Sequence, residues 1–233
     1  MADKEGIYQD IDLHAPTSPT LPYVLVNMVG SVDGRSSVGG KASGIGGRAD
    51  REAMRGLRAR VAAVMVGAGT LRAEKINLGL DDPGVGQPLA VLVGGSGDIP
   101  ITGRLVGGRQ PVILAVPEGS RGTTEATRDL TTVVRIPGGG GGCADLRWLL
   151  EFLRSEHAVG RLLVEGGPTL NRALIEAGLV DELFLTVAPR LLLGPEASIV
   201  SGGPGGEPSR LTLLTVHSAA DELFLRYRVK NPD

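Results

Sequence analysis

A single cysteine, Cys143, in 233 residues rules out an intramolecular disulfide and a thiolate-built metal site. The three histidines, His14, His157 and His217, are widely scattered, so no metal site is expected. Aromatic residues make up only 3% of the chain, which leaves an aliphatic core. Neither sign of charge dominates: the formal net charge is −2, which gives no global attraction to nucleic acid or an anionic membrane. Any anionic ligand must therefore be held by local cations. No apolar run approaches the roughly 20 residues of a membrane span. The Met-Ala-Asp-Lys-Glu start is not a signal peptide, and the compartment reads most simply as a reducing cytoplasm.

Glycine is what the chain has in excess, 36 residues beside 15 prolines, and its placement organises the reading. Residues 1–21 are polar and proline-bearing and read as an N-terminal arm, mobile or strapped over a neighbour. Residues 22–233 form one domain. Tyr23–Val29 is a strand candidate ending in the turn Gly30-Ser-Val-Asp-Gly34, and residues 36–49 are too glycine-rich for regular structure. Asp50 is expected to cap a helix through about Arg60, with Met54, Leu57 and Val61 inward and Arg51, Arg55 and Arg58 on another stripe.

Three short apolar runs then end in glycines. Val61–Val66 meets Gly67-Ala-Gly69-Thr70 and a short helix, Leu71–Lys75. Leu89–Val93 meets Gly94-Gly-Ser-Gly97. Leu162–Val164 meets Glu165-Gly166-Gly167, with Pro168 opening a helix that Gly178 stops. Val112–Val116 and Val133–Ile136 are further strands, with a polar helix around Thr124–Leu130 between them. The Gly138–Gly142 run is a flexible connection, after which Asp145 caps a helix with Leu146, Leu149, Leu150 and Leu153 on one stripe. Leu183–Val187 continues through Pro189 toward Leu191–Leu193, and Leu211–His217 with Glu222–Lys230 reads as an antiparallel hairpin.

The alternation predicts an α/β fold: a mostly parallel twisted sheet, helices on both faces and an antiparallel C-terminal hairpin. Each glycine junction by itself is either a tight turn or a place where a phosphate approaches free N–H groups at a helix N-terminus. Three such junctions gathered at the carboxyl edge of one sheet point to a bound nucleotide or dinucleotide.

Four motifs in order, Pro22-Tyr-Val-Leu-Val-Asn-Met-Val-Gly-Ser-Val-Asp-Gly-Arg35, Leu57-Arg-Ala59, Val66-Gly-Ala-Gly-Thr70 and Leu163-Val-Glu-Gly-Gly-Pro-Thr-Leu-Asn171, resemble the pyrimidine reductase family of riboflavin biosynthesis. This is the reductase part of the bifunctional deaminase-reductase and its stand-alone relatives, with a dihydrofolate-reductase-like fold. The resemblance covers about residues 20–230. It implies NADPH-dependent reduction of the ribosyl group of a phosphoribosylamino-pyrimidine to ribityl, and a homodimer. A zinc deaminase signature is missing, so the resemblance is to the reductase alone.

Carried over residue by residue, the resemblance implies substrate contacts from Asn27, Ser43, Arg58, Leu78 and Glu165. It implies cofactor contacts from Gly67, Gly69, Thr70, Glu74, Ser96, Gly166, Gly167, Pro168, Thr169 and Leu170. Arg58 matches the family's phosphate ligand, where a planar guanidinium suits a dianion, although a solvated basic face is the plainer reading. Asn27 is either a ligand for the pyrimidine or ribose, or a strand-end polar group satisfied by backbone. Asp33 reads as a turn residue. Glu165 has an alternative role as a capping charge at a helix N-terminus. No residue is singled out as catalytic, because a nicotinamide cofactor carries the hard step. The family commonly has Ala-Asp-Asp-Pro after the threonine; here Ala73-Glu-Lys-Ile-Asn-Leu78 stands instead, which opens a rival reading. In it, a reductase of this fold acts on another heterocycle such as a dihydropterin. A non-catalytic NADPH-binding protein is the third.

Overall fold

The computed structural model describes residues 7–8, 11–74, 76–82, 84–95, 99–100, 110–120, 131–138, 144–195, 198–200 and 208–231. Its strands are β1 (Tyr23–Ser31), β2 (Ala63–Gly67), β3 (Leu89–Val93), β4 (Val112–Pro117), β5 (Thr131–Ile136), β6 (Arg161–Val164), β7 (Glu182–Ala188), β8 (Arg210–Ala219) and β9 (Glu222–Lys230). The helices among the described residues are α1 (Arg48–Arg58), α2 (Ala68–Ala73), α3 (Leu146–His157) and α4 (Pro168–Glu176).

All nine strands share one sheet in the order β5-β4-β3-β2-β6-β1-β7-β9-β8. Every pair from β5 to β7 is parallel, and β9 and β8 complete the sheet antiparallel. The expected α/β architecture is the observed one. The central strands are near-continuous apolar runs because both faces are covered. On one face Tyr23, Leu25, Val64, Val66, Leu163, Phe184 and Phe224 pack with Ala53 and Leu57 of α1 and Leu71 of α2. On the other, Val24, Val26, Met65, Leu162 and Val164 pack with Leu149, Leu150 and Leu153 of α3 and Leu170 and Leu174 of α4.

Asp145 caps α3 as expected, accepting from the Trp148 N–H at 3.0 Å. Gly178, at φ +64°, ends the α4 segment in the left-handed region that favours glycine. The β8–β9 turn has both Ala220 and Asp221 at positive φ, the backbone of a two-residue type I′ hairpin built without glycine.

Several expectations need correction. α1 starts at Arg48, not after Asp50, and Gly47 is its N-cap residue without a side-chain cap. The Glu222 carboxylate, brought from β9, accepts the Gly47 N–H at 2.5 Å and the Asp50 N–H at 3.2 Å. A distant residue thus does the work assigned to the local one. α2 begins directly at Ala68, so the Gly67–Thr70 junction is a helical first turn and not a loop. Leu191–Leu193 is not a strand: the Leu192 and Leu193 N–H groups donate to the Asp33 carboxylate, and Leu193 is at φ +54°. Pro189 cannot supply the ladder donor that continuation needs.

The described part of the N-terminal segment lies on its own domain. Tyr8, Ile11 and Leu13 are buried in the α1-side core. Arg60 donates to the Tyr8 and Ile11 carbonyls, Arg226 to Asp12 O and Arg161 to Leu13 O, so guanidiniums hold the strap by its backbone. The helix expected around 124–130, most of the Gly138–Gly142 run, Cys143 and Ser96 lie outside the described residues.

Candidate functional site

The glycine turns after β2 and β6 meet. These strands are adjacent and parallel, so their carboxyl ends are side by side. The Gly67 N–H donates to Gly166 O at 3.0 Å. A β-carbon on Gly67 would lie 3.7 Å from Gly166 O, and one on Gly167 would lie 3.6 Å from Thr70 Oγ1. Gly166 and Gly167 sit at φ +95° and +69°, where only glycine is unstrained. The turn after β3 abuts the same place: a β-carbon on Gly94 would lie 3.7 Å from Ala68 Cβ. Neither Gly67 nor Gly167, the N-cap residues of α2 and α4, makes a side-chain cap. Pro168 at the first helical position has no N–H to offer, which leaves the amides of Thr169 and Leu170 in the first turn of α4.

Beside the turns lies a buried ion pair. Arg58 Nε and Nη2 donate to the two Glu165 oxygens, both at 2.6 Å, and each side chain is 7% exposed. Arg58 Nη1 donates to Asn77 O and Gly79 O, and Nη2 also to Met54 Sδ. All five N–H groups are committed. Arg58 is therefore neither a solvated basic face nor a guanidinium free to clasp a phosphate. Burial favours losing its proton, but the Glu165 charge and hydrogen bonds outweigh that and raise its pKa. One step beyond the Val26–Val164 pair in register, Asn27 lies next to Glu165, half-buried on the α1 face.

Of the remaining predicted residues, Glu74 takes the Ala42 N–H at 2.6 Å and the Ser43 N–H at 3.2 Å, tying the glycine loop to the end of α2. A cleft of about 540 Å³ opens there, with Lys41, Ser43, Arg72, Glu74 and Pro100 on its wall; Asn27 and Glu165 do not line it. The Leu78 side chain is wholly buried in the core, so it presents no side-chain surface to a substrate.

A carboxylate group on the α1 face escaped the sequence reading. Asp50 accepts a hydrogen bond from the Thr186 hydroxyl and faces Glu222 and Glu165. Burial, more than that repulsion, raises its pKa. Two alternations carried the signal: Glu182-Phe184-Thr186 on β7 and Glu222-Phe224-Arg226 on β9 put polar and aromatic residues in turn on one buried face.

A mostly parallel sheet with an antiparallel C-terminal hairpin, and glycine turns converging at its carboxyl edge, define a dihydrofolate-reductase-like α/β domain. The chain belongs to the family described as RibD C-terminal domain, whose profile matches residues 22–225. A 2,5-diamino-6-ribosylamino-4(3H)-pyrimidinone 5′-phosphate reductase of Methanothermobacter thermautotrophicus is 30% identical over 218 residues, 90% of this chain and 99% of that one. The protein of that name from Archaeoglobus fulgidus is 32% identical over 193 residues, 78% and 87% of the two chains. Among solved structures, Acinetobacter baumannii RibD superposes with a TM-score of 0.76 at 26% identity, over 91% of this chain and 59% of that chain. The Saccharomyces riboflavin biosynthesis reductase Rib7 superposes at 0.73 over 93% of both; at 18% identity this speaks to fold alone.

Proposed function

We propose that this protein is the NADPH-dependent reductase that converts the ribosyl group of a 5-phosphoribosylamino-pyrimidine to ribityl in riboflavin biosynthesis. The observation that carries the proposal is the junction of the Gly67 and Gly166–Gly167 turns beside the Asn27–Glu165 row. The residues present fit the cofactor. Gly67, Gly69 and Thr70 from one turn and Gly166, Gly167, Pro168, Thr169 and Leu170 from the other offer backbone to a diphosphate, because the glycines carry no side chain of their own and no side-chain cap occupies the amides. When bound, the nicotinamide supplies the reducing equivalent.

The protein's own part is positioning. Arg58 fixes the Glu165 carboxylate in one orientation, and Asn27 stands next to it, so the pair presents a fixed acceptor and an amide to the pyrimidine or ribose. Arg58 thus acts through Glu165 and not on the phosphate. The sugar phosphate is assigned to the cleft over α2, where Lys41 and Arg72 bring positive charge and Ser43 a hydroxyl. Glu74 shapes that cleft by holding the Ala42 and Ser43 amides. The preference for NADPH over NADH rests on Ser96, after β3. A second copy of the chain is assigned to the edge strand β8, whose Leu211, Leu213 and Val216 are about half exposed together with Leu223 of β9. One cysteine fits a cytoplasmic setting.

The altered 74–78 segment favours one second reading, a reductase of this fold for another heterocycle. Steady-state oxidation of NADPH with the aminopyrimidine phosphate and with a dihydropterin separates the two. Turnover with the aminopyrimidine alone is the expected result, and turnover with the pterin alone overturns the proposal.

A further inference from the structure

The N-terminal strap precedes residues 22–225, the part of the chain that the family profile matches, and the function proposed above assigns it no part. We propose that the strap is a positioning segment for the candidate site: docked, it fixes the last turn of α1, and with it the hold of Arg58 on Glu165.

The connection runs through Arg60. Its backbone N–H donates to Leu57 O at 3.0 Å, so it continues the last turn of α1, two residues beyond Arg58. Its Nη1 donates to Tyr8 O at 2.7 Å and its Nη2 to Ile11 O. A β-carbon on Gly56 would lie 3.9 Å from Ile7 O, so the strap backbone also runs close against the helix itself. Beneath both, the Tyr8 ring stands edge-on to Phe184, 4.9 Å between centroids, and to Phe224 at 6.2 Å. Those two phenylalanines share their core with Ala53 and Leu57 of α1. Strap and helix therefore pack on the same patch of sheet, and Arg60 ties one to the other.

The start of α1 is held by Glu222 through the Gly47 and Asp50 amides. Both ends of the helix are thus fixed from outside it, and release of the strap frees the end that carries Arg58. The two 2.6 Å bonds from Arg58 to Glu165 are short and directional, so a small shift of that turn reorients the carboxylate beside Asn27.

Tyr8 is the weak point of the docking. Its φ of +69° lies in the left-handed region, which costs a tyrosine free energy. Its buried hydroxyl has no hydrogen-bond partner among the described residues, a second cost. Packing of the ring in its aromatic socket offsets both.

The test compares Tyr8→Phe, Tyr8→Ala and Arg60→Met in the full chain. The Arg58 Nε–H resonance, assigned with Arg58→Lys, reports on the ion pair without substrate. Tyr8→Ala and Arg60→Met should displace or broaden that resonance. They should also lower kcat/KM for the aminopyrimidine phosphate by on the order of 10–100-fold, with NADPH affinity unchanged. Tyr8→Phe removes only the unpartnered hydroxyl and should match the parent; the same losses in it as in Tyr8→Ala overturn the role given to the ring. The kinetic part rests on the reductase function proposed above. A strap that favours substrate binding is itself favoured by substrate. The aminopyrimidine phosphate should therefore slow amide exchange around Leu13 in the parent protein, whether or not the variants fold. Strap exchange that substrate leaves unchanged overturns the proposal. So do Tyr8→Ala and Arg60→Met proteins of lower Tm whose Arg58 resonance and kcat/KM are those of the parent, since a merely stabilising strap behaves that way. A parent protein without turnover overturns the reductase function alone, and the Arg58 resonance then decides the strap.

Discussion

Replacing Arg58 by alanine should strand Glu165. Both side chains are 7% exposed and joined by two 2.6 Å contacts, so solvent does not screen the loss as it would at the surface. Breaking a buried pair by removing one partner costs about 3–5 kcal/mol. The Asn77 and Gly79 carbonyls lose their donor in the same substitution. For a domain of this size, roughly 2–4 °C accompanies each kcal/mol, so Tm should fall by about 6–20 °C. The exposed Arg48–Glu52 pair on the same helix, 86% and 53% exposed, provides the control, at about 0.3–0.5 kcal/mol. Urea unfolding followed by fluorescence suits the measurement, because Trp148 is the only tryptophan and is half-buried against Phe152 on α3. Pairing Arg58→Met with Glu165→Gln removes the stranded charge, so the double variant should lose clearly less than the sum of the singles. A direct phosphate ligand behaves differently: its loss raises KM and leaves stability within about 0.5 kcal/mol. That second outcome would falsify the buried-pair account.

Gly167→Val should abolish NADPH binding, since valine is strained at φ +69° and its side chain enters the space by Thr70 Oγ1; an unchanged NADPH titration refutes the diphosphate assignment. Asp33 is held at a pKa of about 2 by the Ser31 hydroxyl and by the Leu192 and Leu193 amides. A lowered folded pKa gives stability that is complete above the unfolded value of about 3.9 and is lost as pH falls through the folded one. Asp33→Asn should therefore flatten the stability profile in that acid window, and a profile identical to the parent's counts against these hydrogen bonds. Val216→Lys on the exposed face of β8 should convert the proposed dimer to monomer in sedimentation velocity, with the monomer's fold intact by circular dichroism. A parent protein already monomeric at micromolar concentration removes that interface.

The parts of the fold that were legible in the sequence are those where local pattern and burial agree. Ala63–Gly67 is apolar throughout because α-helical layers cover both sides of β2, and a reader of the sequence needs only that run to place it. Gly166 and Gly167 announced a turn because their backbone needs glycine. What was illegible depended on residues far apart in the chain. Glu222 caps a helix 175 positions away from it in sequence, and no spacing rule reaches that distance. Asp50, with the composition of a cap, was given the local role that Glu222 performs. Arg58 was read as a phosphate ligand, with a solvated basic face as the alternative, and its helical stripe could not show that the chain beyond β2 returns Asn77 and Gly79 over it and seals it in.

The same distance in sequence explains why the α1 face combines stability with chemistry. Along β6, β1, β7 and β9 the residues on this face are aromatic and aliphatic in the middle of the sheet and polar toward the glycine turns: Leu163 then Glu165, Leu25 then Asn27, Phe184 then Thr186, and Phe224 with Glu222 before it on the antiparallel strand. Each strand keeps its period of two, so the polar groups are as firmly directed inward as the core residues one step below them. A buried carboxylate costs free energy unless it is paired, and those on this face use different partners: guanidiniums for Glu165 and Glu182 and helix amides for Glu222. Removing Arg58 or the α1 amides from this arrangement leaves a charge without compensation, which predicts loss of stability.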